Sequence, residues 1–379
     1  MPASPVAGIL SFMLVPARPP RTFVVCLLLG ALLLGACNRS SSPSSSSSGP
    51  GTDTGQGPRL YVSDETGSAV VVVDPDAGRV VQRLEIGKRP RGIKLAADGK
   101  HLLVALSGSP IGGPGVDESK LPPADRAADG IGLVELPNGA LVRKYQSGQD
   151  PESFAISPDG KTLYVSNEDA AEMSVLDLGS GNVRGRVKVG EEPEGVTVRP
   201  DGRVVYVSCE GENDIVAIDT TTLAVLGRVK TGARPRAIVF TSDGSTGFVT
   251  SENGGVVTVF DPTTNAVAMT IQVPRSGNSP TPPRPMGAVL ARDNSQLFVS
   301  LGRARSIAVI DVAARKVARL IEDVGARPWG IGISADGKQL YTANGPSGDV
   351  SVVDIASGKT EKRISVGGSP WGIAVKPAS

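Results

Sequence analysis

The sequence contains little of what metal, haem and disulfide chemistry needs. Of its 379 residues, one is histidine (His101) and three are cysteine (Cys26, Cys37 and Cys209). Zinc sites with two or three histidines, bis-histidine haem ligation and a disulfide framework are therefore excluded within one chain. A Ser-His-Asp triad would have to use His101, which follows an Asp-Gly-Lys turn and which we interpret as a surface residue. We expect neither a metal ion nor a cofactor.

The sequence also lacks an excess of charge of one sign, and its composition argues against long helices. The 39 Lys and Arg residues nearly balance the 38 Asp and Glu residues, giving a net charge of +1. General nucleic-acid binding is not expected, because it usually requires a clear basic excess. Glycine (47) and proline (30) together make up about a fifth of the chain, against roughly 12% on average. This composition predicts many short strands joined by tight turns.

The N-terminal region contains a short apolar run that is typical of a signal peptide. The run covers residues 22–36, follows two arginines, and is too short for a membrane-spanning helix. It ends in Leu-Gly-Ala-Cys, which resembles a bacterial lipobox. That resemblance implies cleavage of a signal peptide (1–36) before Cys37 and lipidation of Cys37. Two alternatives stay open: the segment is an ordinary signal peptide that happens to contain a cysteine, or translation starts at Met13.

A serine-rich stretch separates this region from the rest of the chain. Serine occupies eight of the nine positions 40–48, and such a composition does not bury a core. We therefore predict a disordered tether at 37–58 and a folded domain at 59–379. With lipid on Cys37, the domain would be held at a bacterial membrane, facing the periplasm or the cell exterior.

The folded region consists of one unit repeated along the chain. Each unit starts with a Pro-x-Gly/Ala/Ser element, and the repeats are spaced by 42 or 43 residues, except for spacings of 61 and 50. An Asp-Gly turn, a Tyr-Val-Ser type strand and a Val-x-Asp element follow in constant register. The prolines of the seven elements are Pro90, Pro151, Pro193, Pro235, Pro285, Pro328 and Pro370.

Each unit is predicted to form four antiparallel strands, here named A to D. In the third unit, alternation and turn residues place them at 153–157, 161–166, 173–178 and 183–189. The Asp that ends strand C is expected to accept hydrogen bonds from the following turn. Four strands every 42 residues indicate an all-β, seven-bladed β-propeller. The first unit lacks strand A, so we expect residues 369–376 to complete blade one and close the ring.

Two tetrapeptides carry a specific resemblance. Tyr164–Asn167 (YVSN) and Tyr341–Asn344 (YTAN) resemble the YVTN-family β-propeller repeat. The Pro-x-Gly elements, such as Arg-Pro-Arg-Gly at 89–92, are similar to those of β-propeller proteins associated with pyrroloquinoline-quinone-dependent catabolism. The resemblance covers residues 59–377 and implies the fold, and it suggests a role as an accessory to a periplasmic quinoprotein. The lipobox and an insertion in blade two depart from that group.

The face formed by the D–A and B–C loops is the predicted binding face. Both insertions fall there, at 107–129 and 274–283, and the repeats differ most there. The two tryptophans of the chain lie in D–A elements of adjacent blades, and carboxylates (Glu168, Glu210, Glu252) follow strand B. The candidate binding residues are Trp329, Trp371, Arg89, Arg91, Arg234, Arg236, Arg284, Arg327, Glu152 and Glu194.

These residue types indicate a small anionic or planar ligand, or a charged protein partner. Arginine binds carboxylates and phosphates in a bidentate manner, and tryptophan offers a stacking surface. Alternatively, Arg91 and Arg236 form salt bridges with Glu152 and Glu194 between blades. Our interpretation is a membrane-anchored binding or scaffold module rather than an enzyme. Two other functions stay open. One is a role as an accessory protein of a quinoprotein or redox system. The other is that of a lactonase-like hydrolase that uses the carboxylates, although the sequence contains no motif that matches a lactonase site.

Overall fold

The computed structural model describes residues 57–112, 116–277 and 281–378. The predicted signal peptide, Cys37 and all but the last residues of the predicted tether lie outside this range. The described residues form 28 strands and three short 3-10 helices, at Glu118–Lys120, Glu168–Ala170 and Gly302–Ala304. None of the helices in these ranges is long and apolar enough to cross a membrane.

The strands are short and follow one another without longer helices between them. In chain order they are β1 (Arg59–Asp64), β2 (Ala69–Asp74), β3 (Arg79–Glu85), β4 (Pro90–Leu95), β5 (His101–Leu106), β6 (Gly130–Glu135), β7 (Leu141–Tyr145), β8 (Pro151–Ile156), β9 (Thr162–Asn167), β10 (Glu172–Asp177), β11 (Val183–Lys188), β12 (Pro193–Val198), β13 (Val204–Cys209), β14 (Asp214–Asp219), β15 (Val225–Lys230), β16 (Pro235–Phe240), β17 (Gly247–Ser251), β18 (Val256–Asp261), β19 (Ala266–Gln272), β20 (Ala288–Leu290), β21 (Gln296–Ser300), β22 (Ile307–Asp311), β23 (Lys316–Ile321), β24 (Pro328–Ile333), β25 (Gln339–Asn344), β26 (Asp349–Asp354), β27 (Lys359–Ser365) and β28 (Pro370–Lys376).

These strands form seven four-stranded antiparallel sheets, which are the blades of a β-propeller. Six blades use four consecutive strands, whereas blade one has the order β28-β1-β2-β3. In it, Tyr61 pairs with Ala374 and Leu60 with Val375, so the last strand closes the ring. The predicted fold and the predicted closure are both confirmed.

Strand boundaries differ from the predicted ones by one or two residues. In blade three, strand A begins at Pro151 instead of Ser153, and strand C ends at Asp177 instead of Leu178. Asp177 ends the strand because its Oδ1 accepts a hydrogen bond from Ser180 N at 2.7 Å. Asp74 accepts an equivalent bond from Ala77 N at 2.8 Å. The predicted structural role of this Asp in the C–D turn is therefore confirmed.

The core lies between neighbouring blades, where strands B and C are almost completely buried. The single cysteine of the described residues, Cys209, is one of these buried side chains, as expected. Tyr206 is buried as well and donates its hydroxyl hydrogen to Pro262 O at 3.1 Å. Each fully buried aliphatic side chain contributes about 1.5–3 kcal/mol, so the blades are held mainly by these interfaces.

Hydroxyl groups fix the inner strands across five blade boundaries. The third residue of the Tyr-Val-Ser type strand donates to the carbonyl of the residue that follows proline in the next blade. These inter-blade hydroxyl bonds join Ser63 to Arg91 O (2.6 Å), Ser166 to Glu194 O (2.6 Å), Ser208 to Arg236 O (2.8 Å), Thr250 to Met286 O (2.6 Å) and Ser300 to Trp329 O (3.0 Å). Ala105 and Ala343 occupy the two remaining positions. The backbone of several candidate site residues is thus held in place.

Candidate functional site

A cavity of about 870 Å³ opens at the face formed by the D–A and B–C loops. We call it the mouth cavity; its size is typical of small-molecule sites. It is lined by Trp329, Trp371, Arg89, Arg234, Arg236, Arg284, Arg327, Glu152 and Glu194, which are all of the predicted binding residues except Arg91. Arg91 is fully buried and does not line the cavity.

The insertion in blade two forms one wall of the mouth cavity. Ser109 to Gly112 and Arg126 line it, together with the apolar side chains of Leu121 and Pro122. Asp129 anchors the base of this loop by accepting a hydrogen bond from Gly108 N at 2.7 Å. The second insertion, at 274–283, has no described residue in the lining, although Arg284 directly after it lines the cavity.

Five charged residues that precede proline have an unusual backbone conformation. A left-handed φ is uncommon for residues with a side chain and carries strain, which is often retained at functional sites. The residues are Arg89 (φ 43°), Asp150 (φ 52°), Glu192 (φ 50°), Arg234 (φ 60°) and Arg327 (φ 52°). All five line the mouth cavity. This turn therefore directs a charged side chain from each of these blades to the cavity.

The first ionic cluster surrounds Arg91 at the boundary of blades two and three. The guanidinium of Arg91 donates to the carboxylates of Asp150 and Glu152 and to Pro151 O at 2.9 Å. Glu168 Oε2 lies 3.5 Å from Arg91 Nη1. Three carboxylates thus share one fully buried cation. The inter-blade salt bridge between Arg91 and Glu152, expected under the alternative interpretation, is present.

The carboxylates of this cluster differ in their affinity for protons. Burial favours the neutral form of Asp150, but the charge of Arg91 and the Ser107 hydroxyl outweigh it and hold the pKa of Asp150 below its usual value. Burial and the charge of Glu194 raise the pKa of Glu168 to about 8. The Glu168 side chain is 28% exposed and lines the mouth cavity. Glu168 is therefore a partly exposed carboxyl group whose pKa lies well above its usual value.

The second ionic cluster surrounds Arg236 at the boundary of blades four and five. Arg236 forms ion pairs with Glu194, with Glu210 at 2.5 Å and with Glu252 at 2.7 Å. Arg234 pairs with Glu210. Burial and the charge of Glu194 raise the pKa of Glu210 to about 9. The expected salt bridge between Arg236 and Glu194 is thus present as well.

Three arginines on the opposite side of the mouth cavity have no ion-pair partner. Among the described residues, no carboxylate lies within 4.0 Å of the guanidinium nitrogens of Arg284, Arg303 or Arg327. Arg284 donates to Asn253 Oδ1, while the buried Nε atoms of Arg284 and Arg327 have no hydrogen-bond partner. Desolvation by burial lowers the pKa of Arg327, against the opposing charge of Glu252. Unpaired donors of this kind suit an anionic ligand.

The two tryptophans form an aromatic wall next to these arginines. The rings of Trp329 and Trp371 are stacked, with centroids 5.5 Å apart and an interplanar angle of 24°. The Cζ atoms of Arg327 and Arg236 lie 4.7 and 5.1 Å from the centroid of Trp329. The mouth cavity thus combines an acidic side, an unpaired basic side and a stacking surface.

Some lining residues were not predicted. Arg303 lies in the B–C loop of blade six, within the 3-10 helix Gly302–Ala304, and Glu65 pairs with Arg89 at 2.9 Å. The signal in the sequence that could have identified both residues is their position shortly after strand B, which Glu168 shares. No group of His, Cys, Asp and Glu residues in the described part of the chain is arranged to hold a metal ion.

Comparison with known proteins gives a family likeness for part of the chain and a fold likeness for most of it. Residues 185–281 match the family described as "Lactonase, 7-bladed beta-propeller". No curated protein sequence matches the chain. The YVTN repeat, the pyrroloquinoline-quinone-associated group and the lipoprotein signal stay predictions.

Three solved structures illustrate the fold likeness. The periplasmic gluconolactonase of Pseudomonas aeruginosa is 20% identical, with a TM-score of 0.66, and the match covers 85% of this chain and 99% of that one. Hydrazine synthase of Kuenenia stuttgartiensis is also 20% identical, with a TM-score of 0.63 and coverage of 76% and 90%. A functionally unknown protein from Desulfotomaculum acetoxidans is 13% identical, with a TM-score of 0.69 and coverage of 85% and 99%. At these identities the likeness concerns the fold.

Proposed function

We propose that the protein is a lactonase-like hydrolase that opens a cyclic ester in the mouth cavity. The observation that carries this proposal is the placement of Glu168, a partly exposed carboxyl group with a raised pKa, in the same cavity as three arginines that have no ion-pair partner among the described residues. The partial match to a lactonase family and the fold likeness to a gluconolactonase support it. They favour the hydrolase over our initial interpretation as a binding module.

The lining residues supply what lactone hydrolysis requires. Water attacks the ester carbonyl carbon, and the ionised carboxylate of Glu168 accepts its proton as a general base. Negative charge develops on the carbonyl oxygen, where the guanidinium groups of Arg284, Arg303 or Arg327 stabilise it. When the bond between the carbonyl carbon and the ring oxygen breaks, the ring oxygen takes the proton that Glu168 accepted and leaves as a hydroxyl group, which returns Glu168 to its ionised form. Trp371, partly exposed beside Trp329, provides a surface on which the ring of the substrate packs.

Replacement of Glu168 tests this proposal. We expect the Glu168→Gln variant to lose about 10²- to 10⁴-fold in kcat on δ-lactones of sugar acids, as is typical when a general base is removed. Glu191→Gln is the matched control, because Glu191 is exposed and does not line the cavity. Full activity of Glu168→Gln, or no lactone hydrolysis by the unmodified protein across a panel of ring sizes, would reject the hydrolase.

The binding-module interpretation is the second candidate, supported by the stacked tryptophans and the unpaired arginines alone. It requires a small anionic or planar ligand, or a charged loop of a protein partner, and no turnover. Saturable binding of a lactone or sugar acid without hydrolysis would favour it. An accessory role in a quinoprotein system is supported only by the sequence resemblance, and co-purification with a periplasmic dehydrogenase would test it.

We also propose that lipid on Cys37 anchors the protein to a bacterial membrane. The lipobox-like Leu-Gly-Ala-Cys supports this proposal. We expect the unmodified protein to incorporate radiolabelled palmitate and the Cys37→Ser variant not to incorporate it.

A further inference from the structure

The axis of the propeller contains two cavities below the mouth cavity. The upper one has a volume of about 240 Å³ and shares Glu194, Arg236, Trp329 and Trp371 with the mouth cavity. The lower one, of about 450 Å³, shares Lys94 and several small residues with the upper one. Because each cavity shares wall residues with the next, the upper and lower cavities together form a narrow channel along the axis. This axial channel starts at the floor of the mouth cavity.

Lys94 lines this channel at a position where the other six blades carry an uncharged residue. On β4 it pairs with Leu103 in the register that recurs in all seven blades. The equivalent residues on the other inner strands are small or uncharged: Ala155, Thr197, Val239, Val289, Gly332 and Ala374. The fold therefore does not require a charged side chain at this position.

The ammonium group of Lys94 has no partner among the described residues, and no hydrogen bond or ion pair of its Nζ atom is present there. It is the only charged residue that lines the lower cavity, whose walls include Val196, Ile238 and Leu290. In the upper cavity, Glu194 and Arg236 neutralise each other. Desolvation by these walls lowers the pKa of Lys94 to about 8. Lys94 is half-buried, and an unpaired cation that the cavity walls desolvate in this way costs stability.

We propose that Lys94 binds the carboxylate group of a ligand whose slender apolar chain lies in the axial channel. The carboxylate would accept charge-assisted hydrogen bonds from the ammonium group and remove its uncompensated charge. Gly195 and Gly372 contribute only backbone to the wall of the upper cavity, whose volume of about 240 Å³ suits a slender chain. Ile331 and Ile373 give that chain an apolar surface. This site is separate from lactone hydrolysis and does not depend on it.

Binding of hexanoate tests the site, with hexanol as the uncharged probe. Both tryptophans line the upper cavity, so intrinsic fluorescence reports occupancy, and calorimetry gives the affinity. We expect Lys94→Met to bind hexanoate about 10- to 100-fold more weakly, the range for loss of a hydrogen bond to a charged group. Hexanol should bind both proteins equally. Lys316→Met, a change on exposed strand β23, should have no effect.

Stability separates loss of the site from loss of the fold. Because methionine removes an unpaired charge that is partly desolvated, Lys94→Met should melt at a higher temperature than the unmodified protein. Weaker hexanoate binding in a more stable protein supports the proposal. Equal affinity for hexanoate in Lys94→Met and the unmodified protein would overturn it. The same holds if hexanoate binding is lost in Arg303→Gln, at the mouth cavity, but not in Lys94→Met. Failure of the unmodified protein to bind hexanoate would also overturn it.

Discussion

The rings of Trp329 and Trp371 stack 5.5 Å apart across the boundary between blades seven and one. They are the only two tryptophans of the sequence. Because both line the mouth cavity, the intrinsic fluorescence of the protein originates at the proposed site. The stacked pair is therefore both a candidate recognition element and a reporter of ligand binding.

Removal of one ring should weaken recognition without unfolding the protein. We expect Trp371→Ala to raise KM for a lactone, or Kd for a ligand, by about 2- to 12-fold, which corresponds to the 0.5–1.5 kcal/mol of a stacking contact. Trp371→Phe keeps an aromatic ring and should restore most of the affinity. Titration of the remaining Trp329 fluorescence provides the measurement. Unchanged affinity in Trp371→Ala would contradict a role in recognition.

The unpaired arginines should concentrate anions beside the tryptophans. Iodide, an anionic quencher, should quench the fluorescence more strongly than neutral acrylamide at low salt, and added salt should reduce the difference. In the Arg284→Gln, Arg303→Gln double variant, quenching by iodide should fall several-fold while quenching by acrylamide stays constant. Equal iodide quenching in both proteins would show that these guanidinium groups do not attract anions to the site.

The Arg91 cluster should be essential for stability. Arg91→Met leaves Glu152 buried without its cation and Asp150 with only Arg89, at 3.7 Å, and breaking a buried ion pair in this way costs about 3–5 kcal/mol. Denaturant unfolding followed by circular dichroism measures the change. Lys88→Met is the control, because Lys88 pairs with Asp125 at an exposed position and should lose nothing measurable. A loss no larger than that of the control would show that the cluster does not hold the blades together.

Stability should also decrease as the pH rises. The pKa values of Glu168 and Glu210 are raised in the folded protein, to about 8 and about 9, from an ordinary value of 4.5. The folded state therefore holds more protons than the unfolded state, and this contribution is present at low pH and lost between about pH 4.5 and 9. Thermal melts across this range should show the decrease. The Glu168→Gln, Glu210→Gln variant should show a flatter profile, and an unchanged slope would reject the assignment.

Most of the fold could be predicted from the sequence because the repeat gives the same information seven times. Turn residues and alternation fixed the number of blades, and the unmatched strand at 369–376 indicated ring closure, as Tyr61 and Ala374 show. Strand ends were less certain, since the last residue depends on side-chain hydrogen bonds such as that of Asp177.

Most residues that line the mouth cavity could be predicted to share one face, but the pairing of their charges could not. The sequence placed Arg234 and Arg327 at equivalent positions before proline, with nothing to show which of them meets a carboxylate. In the structure Arg234 is paired and, among the described residues, Arg327 is not, because Glu210 and Glu252 lie within ion-pair distance of Arg234. Arg303 was missed for a related reason, since it enters from a loop whose path depends on the whole ring.

The two blade boundaries that lack an inter-blade hydroxyl bond are those with Ala105 and Ala343 on strand B. Site residues cross both boundaries: Arg91 reaches Glu152 at one, and Trp329 stacks on Trp371 at the other. At these two boundaries, side chains of the site region contribute contacts between inner strands, and at the first of them the Tyr145 hydroxyl also donates to Leu178 O at 2.9 Å. A ligand seated in the mouth cavity would contact Glu152 and the two tryptophans, so its arrival should be visible as slower amide exchange in the inner strands β8 and β28.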